Sequence, residues 1–210
     1  MAIIMNEHFE CGCQLAVWKI TEDLTNMSSR ISLTLEELET LDRFSFEPRK
    51  LEWLSVRVLL NEMTGKELTI TYNGNRKPFL IGNRYSISIS HSRDLTAILL
   101  SQEKKVGIDL EYMSHRIGSI AHKFINERDV ITSDEEQRKY HLYIHWCAKE
   151  ALYKICDKQD INFKDNLTIE AFEPMERGVL LGRVHNRFRN EPFAMNYFSL
   201  GNYVVVWCCK

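Results

Sequence analysis

A seven-residue stretch in the middle of the chain places the tightest limits on its fold. Val106–Tyr112 (VGIDLEY) alternates apolar residues with small or acidic ones, which predicts a short β-strand. Because the side chains of a strand point to alternate faces, Asp109 and Glu111 are predicted to share one face. Two carboxylates so close together repel each other unless a cation lies beside them. A second element should therefore lie against this face.

A long helical pattern at residues 134–156 is the candidate for that second element. Glu150 and Lys154 lie four residues apart on a strip beside its apolar stripe. A strand with two acids and a helix with Glu and Lys could hold a hard cation and the phosphates bound to it, and Mg²⁺ suits such a set. Taken alone, the Glu150–Lys154 pair is equally an ordinary helix ion pair. The apolar stripe consists of Tyr140, Ile144, Cys147, Ala148, Ala151 and Ile155.

Composition narrows the class of protein. The chain has 210 residues, of which 44% are hydrophobic, enough to build one domain or two small ones. Its formal net charge of −2 argues against bulk binding of nucleic acid. The N-terminal segment MAIIMNEHFE lacks a basic region followed by an apolar core, and no apolar run could span a membrane. We therefore expect a cytoplasmic protein that binds neither nucleic acid nor membranes.

The six cysteines are most simply interpreted as free thiols. A zinc site built on Cys11 and Cys13 would need two more ligands at a suitable spacing. The sequence shows no such pair of ligands, so it predicts no metal site there.

Two helices are predicted in the first half of the chain from their end signals. Thr34, with Glu37 three residues later, forms a capping-box pattern. The second helix is predicted to start near Pro48 and to reach about Met63, with Gly65 as its C-cap.

The strand patterns divide the chain into two similar series. A strand at residues 85–90 is predicted to end in a polar turn at residues 91–94, and Ser133 is a candidate N-cap for the long helix. Each half reads as a strand, then helices, then several strands. The prediction is an α+β fold of two similar halves, 1–103 and 104–210, each with a small sheet packed against a long helix.

The motifs now described resemble those of one family, the 4′-phosphopantetheinyl transferases. Residues 107–111 (GIDLE) and 146–154 (WCAKEALYK) resemble its signature strand and signature helix. Upstream, residues 77–78 (KP), 88–92 (SISHS) and 49–57 (RKLEWLSVR) resemble three further family segments, in matching order and spacing. The chain length favours the larger, surfactin-synthetase-activating type, which implies a monomer whose two α/β halves are related by a pseudo-twofold axis.

Two positions depart from the family pattern. Arg76 stands where a glycine usually precedes Lys-Pro, and Ser88 stands where an asparagine usually opens the Ser-His segment. Arg76 either contacts a phosphate or is merely solvated. Neither substitution removes a presumed metal ligand or His91.

The resemblance implies a substrate, a metal and a reaction. Coenzyme A would bind between the halves, and Mg²⁺ would hold its diphosphate. A serine of an acyl or peptidyl carrier protein would attack the β-phosphate, giving the 4′-phosphopantetheinylated carrier and 3′,5′-adenosine bisphosphate. Glu150 is the candidate base or only a metal ligand, and Asp109 and Lys154 are the other candidate catalytic residues. The implied metal ligands are Asp109, Glu111 and Glu150, and the implied coenzyme A contacts are Arg49, Lys50, Lys77, Ser90, His91 and Lys154.

Simpler interpretations stay open for several of these residues. His91 would equally suit a polar turn, and Arg49 and Lys50 would suit a solvated helix start. Two other functions fit some of the residues: a Mg²⁺-dependent nuclease, and a catalytically silent module that binds carrier proteins on the same fold. The net charge and the lack of a basic stripe argue against the nuclease. Intact acidic residues argue against the silent module.

Overall fold

A computed structural model describes residues 3–82, 84–157 and 160–210. In the first half, a four-stranded antiparallel sheet has the order β1-β2-β6-β5. Three helices follow β2, and a small hairpin of β3 and β4 precedes β5. The bounds are β1 Ile3–Phe9, β2 Cys13–Lys19, α1 Leu24–Ser28, α2 Leu35–Asp42, α3 Glu47–Thr64, β3 Ile70–Tyr72, β4 Pro78–Leu80, β5 Ser86–Ser92 and β6 Leu95–Ser101.

In the second half, a five-stranded antiparallel sheet has the order β7-β11-β10-β9-β8. One long helix, α5, covers it. A short helix and a single 3₁₀ turn at Ala121–Lys123 lie between β7 and α5. The bounds are β7 Val106–Tyr112, α4 Ile117–Ile120, α5 Glu135–Ile155, β8 Leu167–Ile169, β9 Arg177–Asn186, β10 Arg189–Leu200 and β11 Tyr203–Cys209.

Alternation of side chains along the strands divides the interior into three cores. Even-numbered residues of β2 and β6 pack with α3, whereas odd-numbered ones face the second sheet. On β7, Val106, Ile108 and Leu110 enter the core between the sheets. The opposite face of β7, which carries Asp109, therefore looks toward α5. A mixed α/β fold with a long helix on each sheet agrees with the prediction.

Helix ends follow the predicted signals with one exception. Thr34 and Glu37 form the predicted capping box, and Gly65 ends α3 in the left-handed conformation at φ 63°. The N-cap of α5 is Asp134 rather than Ser133, because the Asp134 side chain accepts a hydrogen bond from Glu136 N. A carboxylate at this position also interacts favourably with the helix dipole.

One strand was predicted too short and another was missed. Strand β5 continues through His91 and Ser92, which pair with Thr96 and Leu95 of β6, so the polar turn is confined to Arg93 and Asp94. Strand β1 was not predicted at all, because it is a largely exposed edge strand without strong alternation. Among the described residues, no helix is both long enough and apolar enough to cross a membrane.

Candidate active site

Alternate serines of β5 join the two sheets where the candidate site lies. The backbone N–H groups of Ile108 and Leu110 donate to Ser88 Oγ at 3.0 Å and to Ser90 Oγ at 3.1 Å. Tyr112 N donates in the same way to Ser92 Oγ at 3.1 Å. Buried N–H groups need partners. Here serine side chains supply them along the edge of β7 that faces β5, which gives the Ser-x-Ser-x-Ser pattern a structural reason.

Gly107 allows α5 to approach β7 closely. A Cβ atom at this position would lie 2.2 Å from the backbone oxygen of Ala151 and 3.0 Å from Ile155 Cβ. No side chain could therefore be accommodated without moving the helix. The glycine of the signature strand sets the distance between the acidic face of β7 and the helix that carries Glu150.

Three residues of α5, each four positions from the next, line the side of the helix that faces β7. At one end Trp146 Nε1 lies 3.4 Å from Glu111 Oε1. At the other end Lys154 Nζ donates to Asp109 Oδ1 at 2.7 Å. Glu150 lies one turn from each, because residues four apart lie above one another on a helix. The predicted docking of this helix against the acidic strand is therefore present.

Asp109 and Lys154 form the centre of this site. Lys154 Nζ also donates to the Ile108 carbonyl at 2.9 Å and to Ser90 Oγ at 3.2 Å. Ser90 Oγ in turn donates to Asp109 Oδ1 at 2.9 Å. Ser90, predicted to contact coenzyme A, is buried and orients Asp109 in this structure.

The second oxygen of Asp109 is available for a cation. Asp109 Oδ2 is buried and has no hydrogen-bond partner among the residues that the structure describes. Glu111 accepts from Ser92 Oγ at 3.0 Å, and burial together with the charge of Asp109 raises the pKa of its carboxyl. An unpartnered buried carboxylate oxygen beside a second destabilised carboxyl fits a divalent cation, which would supply the missing positive charge.

Glu150 does not yet complete a metal site in this structure. Among the residues that the structure describes, the carboxylates of Asp109, Glu111 and Glu150 do not form a group whose oxygens all lie within 4.8 Å of one another. Joint ligation by the three residues therefore stays a prediction.

A cavity of about 440 Å³ opens beside Lys154 and extends between the two halves. Its size is within the range of small-molecule sites. The first half contributes the start of α3, strand β5 and the turn before β4, and the second half contributes Lys154 and Asp157. Four of the predicted coenzyme A contacts line it: Arg49, Lys77, His91 and Lys154. Lys50, on the same turn as Arg49, is not among the lining residues.

Arg49, Glu52 and His91 form a connected group on the cavity wall. Arg49 Nη1 donates to Glu52 Oε2 at 2.8 Å and lies 3.0 Å from His91 Nε2. Arginine can only donate, so His91 Nε2 is the acceptor. Burial, with the positive charges of Arg49 and Lys154, lowers the pKa of His91 despite the opposing effect of Glu52. His91 is therefore neutral near pH 7, and a bound phosphate would favour its protonation.

The turn that carries Lys77 is docked on the C-terminal end of α5. Asn73 Nδ2 donates to both carboxylate oxygens of Asp157, at 3.0 and 3.1 Å. Lys77 Nζ donates to the Ile155 carbonyl at 3.2 Å, and burial lowers its pKa. Arg76 adopts φ 61°, which explains why glycine is usual at this position. Its side chain lines the cavity, which favours the phosphate-contact interpretation over simple solvation.

A second row of α5 residues, Lys149, His145 and His141, packs against the loop before the helix. The sequence motifs did not predict a role for this row. Lys149, although charged, is fully buried and donates to Asp129 Oδ2 at 2.5 Å and to the Phe124 carbonyl at 2.6 Å. His145 and His141 follow at intervals of four toward the N-terminus, and His141 Nδ1 accepts from Thr132 N at 3.1 Å. Of the two lysines in the signature helix, Lys149 thus holds the structure together, whereas Lys154 lies at the candidate site.

Comparison with known proteins agrees with this arrangement. Residues 105–208 match the family model described as the 4′-phosphopantetheinyl transferase superfamily. The chain is 26% identical over 161 residues to the 4′-phosphopantetheinyl transferase HetI of Nostoc sp., covering 67% of this chain and 68% of HetI. It is 31% identical over 112 residues to the 4′-phosphopantetheinyl transferase AcpT of Salmonella typhi.

The extent of these matches differs. The match to AcpT covers 50% of this chain and 58% of AcpT, little more than half of that relative. A putative 4′-phosphopantetheinyl transferase of Synechocystis sp. is 24% identical over 200 residues, with 84% of this chain and 79% of the relative covered. The family match includes β7, which carries both acids, and all of α5. The chain therefore belongs to the 4′-phosphopantetheinyl transferase superfamily and is an enzyme of that class, as its motifs predicted.

Proposed function

We propose that the protein transfers the 4′-phosphopantetheine group of coenzyme A to a serine of an acyl or peptidyl carrier protein, with Mg²⁺ as the metal. The observation that carries this proposal is Lys154, which joins a cationic cavity to the Asp109 carboxylate. An anionic substrate bound in the cavity would then lie directly beside the proposed metal site. The family membership supports coenzyme A as the substrate.

The cavity supports a specific placement of coenzyme A. Arg49, Lys77 and Lys154 would bind its phosphates, and His91 would become protonated as a phosphate approaches. Arg76 would add a contact that a glycine at that position cannot make. Because Lys77 and Lys154 come from different halves, binding would also hold the two halves in register.

The chemistry is a displacement at phosphorus, in which positioning and charge neutralisation dominate. The serine hydroxyl of the carrier would attack the β-phosphate, the bond to the departing 3′,5′-adenosine bisphosphate would break, and Glu150 would accept the serine proton. Asp109 and Glu111, with Glu150, would hold Mg²⁺, which would neutralise the diphosphate. Lys154 would neutralise a phosphate oxygen, and Ser90 would keep Asp109 oriented.

The proposal also covers the oligomeric state and the internal symmetry of the protein. We propose that it is a monomer and that its halves, 1–103 and 104–210, are related by a pseudo-twofold axis. In support, each half has one sheet of four or five strands and one long helix, α3 or α5, packed on it. Superposition of the halves in an experimental structure and light scattering in solution would check the two statements. A cytoplasmic location stays a prediction of the sequence.

Transfer of a fluorescent coenzyme A analogue to apo-acyl and apo-peptidyl carrier proteins tests the function. We expect labelling that requires the carrier serine and is lost when that serine is replaced by alanine. A silent carrier-binding module would bind the carrier without labelling it. Binding to neither carrier, with a shift in melting temperature on adding DNA or RNA, would instead favour the nuclease.

A further inference from the structure

Three cysteine thiols from distant parts of the chain meet at one end of the interface between the sheets. The sulfur atoms of Cys11, Cys13 and Cys209 all lie within 4.8 Å of one another. Cys11 lies in the turn between β1 and β2, the N-terminal hairpin, and Cys13 is the first residue of β2. Cys209 is the last residue of β11. The third ligand could not be recognised from sequence spacing, because Cys209 comes close to Cys11 and Cys13 only where the two sheets pack against each other.

The backbone around the three thiols is fixed. Gly12, at φ +79°, closes the turn by donating its N–H to the Phe9 carbonyl at 2.9 Å. Ser101 Oγ donates to the Gly12 carbonyl at 3.1 Å. On the other side, Lys105 and Lys210 exchange backbone hydrogen bonds of 2.8 and 2.9 Å, which holds the end of β11. Both strands that carry the thiols are thus held by contacts independent of the sulfur atoms.

We propose that Cys11, Cys13 and Cys209 bind one soft, thiophilic metal ion of the d¹⁰ class that includes Zn²⁺ and Cu⁺. Thiolate sulfur is the ligand these ions prefer. An ion at the centre of the triangle would lie at most about 2.8 Å from each sulfur, and Zn–S bonds are about 2.3 Å long. Each sulfur atom would therefore need to move inward by only about 0.5 Å to reach bonding distance.

The surroundings distinguish this group from buried structural cysteines. Cys13 is buried, whereas Cys11 and Cys209 are half-buried and give an ion access from solvent. No fourth His, Cys, Asp or Glu joins the group among the described residues, which leaves trigonal coordination or one position for water.

The site is separate from the candidate active site. On β7, Val106 pairs with Cys209, whereas Glu111 pairs with Val204, five residues farther along. At about 3.3 Å per strand residue this is roughly 17 Å. The ion would join the N-terminal hairpin of the first sheet to the last strand of the second, so its role would be to stabilise the interface between the sheets.

Titration of the reduced, metal-free protein with Cd²⁺ tests the proposal, because the thiolate-to-metal charge-transfer band reports sulfur ligation alone. We expect one ion per chain, and at least tenfold weaker binding in Cys11→Ser and Cys209→Ser. Cys208→Ala is the matched control, because Cys208 is adjacent in sequence but faces the core under α5. It should bind as the wild type does.

Thermal unfolding supplies the second readout. At a hundredfold excess of Zn²⁺ over its dissociation constant, the melting temperature of the wild type should rise by about 5–10 °C. The rise should be absent in Cys11→Ser, and circular dichroism should show an intact fold, because Cys11 is only half-buried. Absence of the charge-transfer band in the wild type, or a band of equal strength in both serine variants, would overturn the proposal.

Discussion

Replacement of Gly107 by alanine should lower both the stability and the activity of the protein. The new Cβ would lie 2.2 Å from the Ala151 carbonyl oxygen, whereas even close C–H···O contacts have carbon–oxygen distances of about 3.3 Å. Because the clashing atom belongs to the backbone, α5 itself has to move by about 1 Å. Overpacking of this kind costs about 3 kcal/mol at the upper end. In a chain of this size that lowers the melting temperature by about 6–12 °C.

The same displacement moves Glu150 and Lys154 away from Asp109. A shift of about 1 Å in catalytic groups can cost about 100-fold in rate. Fluorescent coenzyme A transfer, measured below the melting temperature, and thermal unfolding together check the prediction. Gly118→Ala is the matched control, because a Cβ there would lie more than 4 Å from every described atom outside its chain neighbours and its own helix backbone. Wild-type transfer by Gly107→Ala would refute the claim that this glycine sets the distance between strand and helix.

Three further predictions follow from the same contacts. Ser88→Ala leaves the Ile108 N–H unpaired and should lower the free energy of unfolding by about 1–3 kcal/mol in urea titration. Ser88→Asn, which introduces the usual family residue, should restore a large part of that free energy. Equal losses of stability in the two variants would contradict the role of Ser88 in joining the sheets. Arg76→Gly relieves a left-handed arginine and should leave stability unchanged or raise it by up to about 1 kcal/mol. It should nevertheless weaken coenzyme A binding about tenfold by calorimetry, and unchanged affinity would mean that Arg76 is simply solvated. Burial lowers the pKa of His141 and His145, so the unfolded chain binds more protons, and stability should fall by about 1.4 kcal/mol per pH unit for each histidine below pH 6.5. A flat pH profile in that range would show that neither histidine is held neutral.

Local signals predicted the elements that surround the site. The alternation in VGIDLEY and the 3.6-residue period of α5 are strong patterns, so the strand and the helix were predicted nearly to their ends. The edge strand β1 lacked such a pattern because most of its residues face solvent. His91 was assigned to a turn because polar residues are common there, but the serine contacts and pairing with β6 extend the strand.

Residues whose role depends on distant contacts could not be predicted in the same way. Lys149 lies within the signature segment WCAKEALYK, yet it is buried against Asp129, twenty residues earlier in the chain. Gly107 shows its purpose only when α5 is in place. The serines at alternate positions of β5 form a visible sequence pattern. Their partners, the backbone N–H groups of β7, could be identified only from the fold.

The most direct test of the central claim is the Mg²⁺ dependence of transfer by Asp109→Asn. This replacement keeps the side-chain shape but removes the negative charge that is proposed to hold the metal. We predict that the wild type is inactive in chelator and recovers with Mg²⁺, whereas Asp109→Asn remains folded and transfers at least about 100-fold more slowly even at saturating Mg²⁺. Wild-type rates from Asp109→Asn, or full wild-type activity in chelator, would contradict the proposed site.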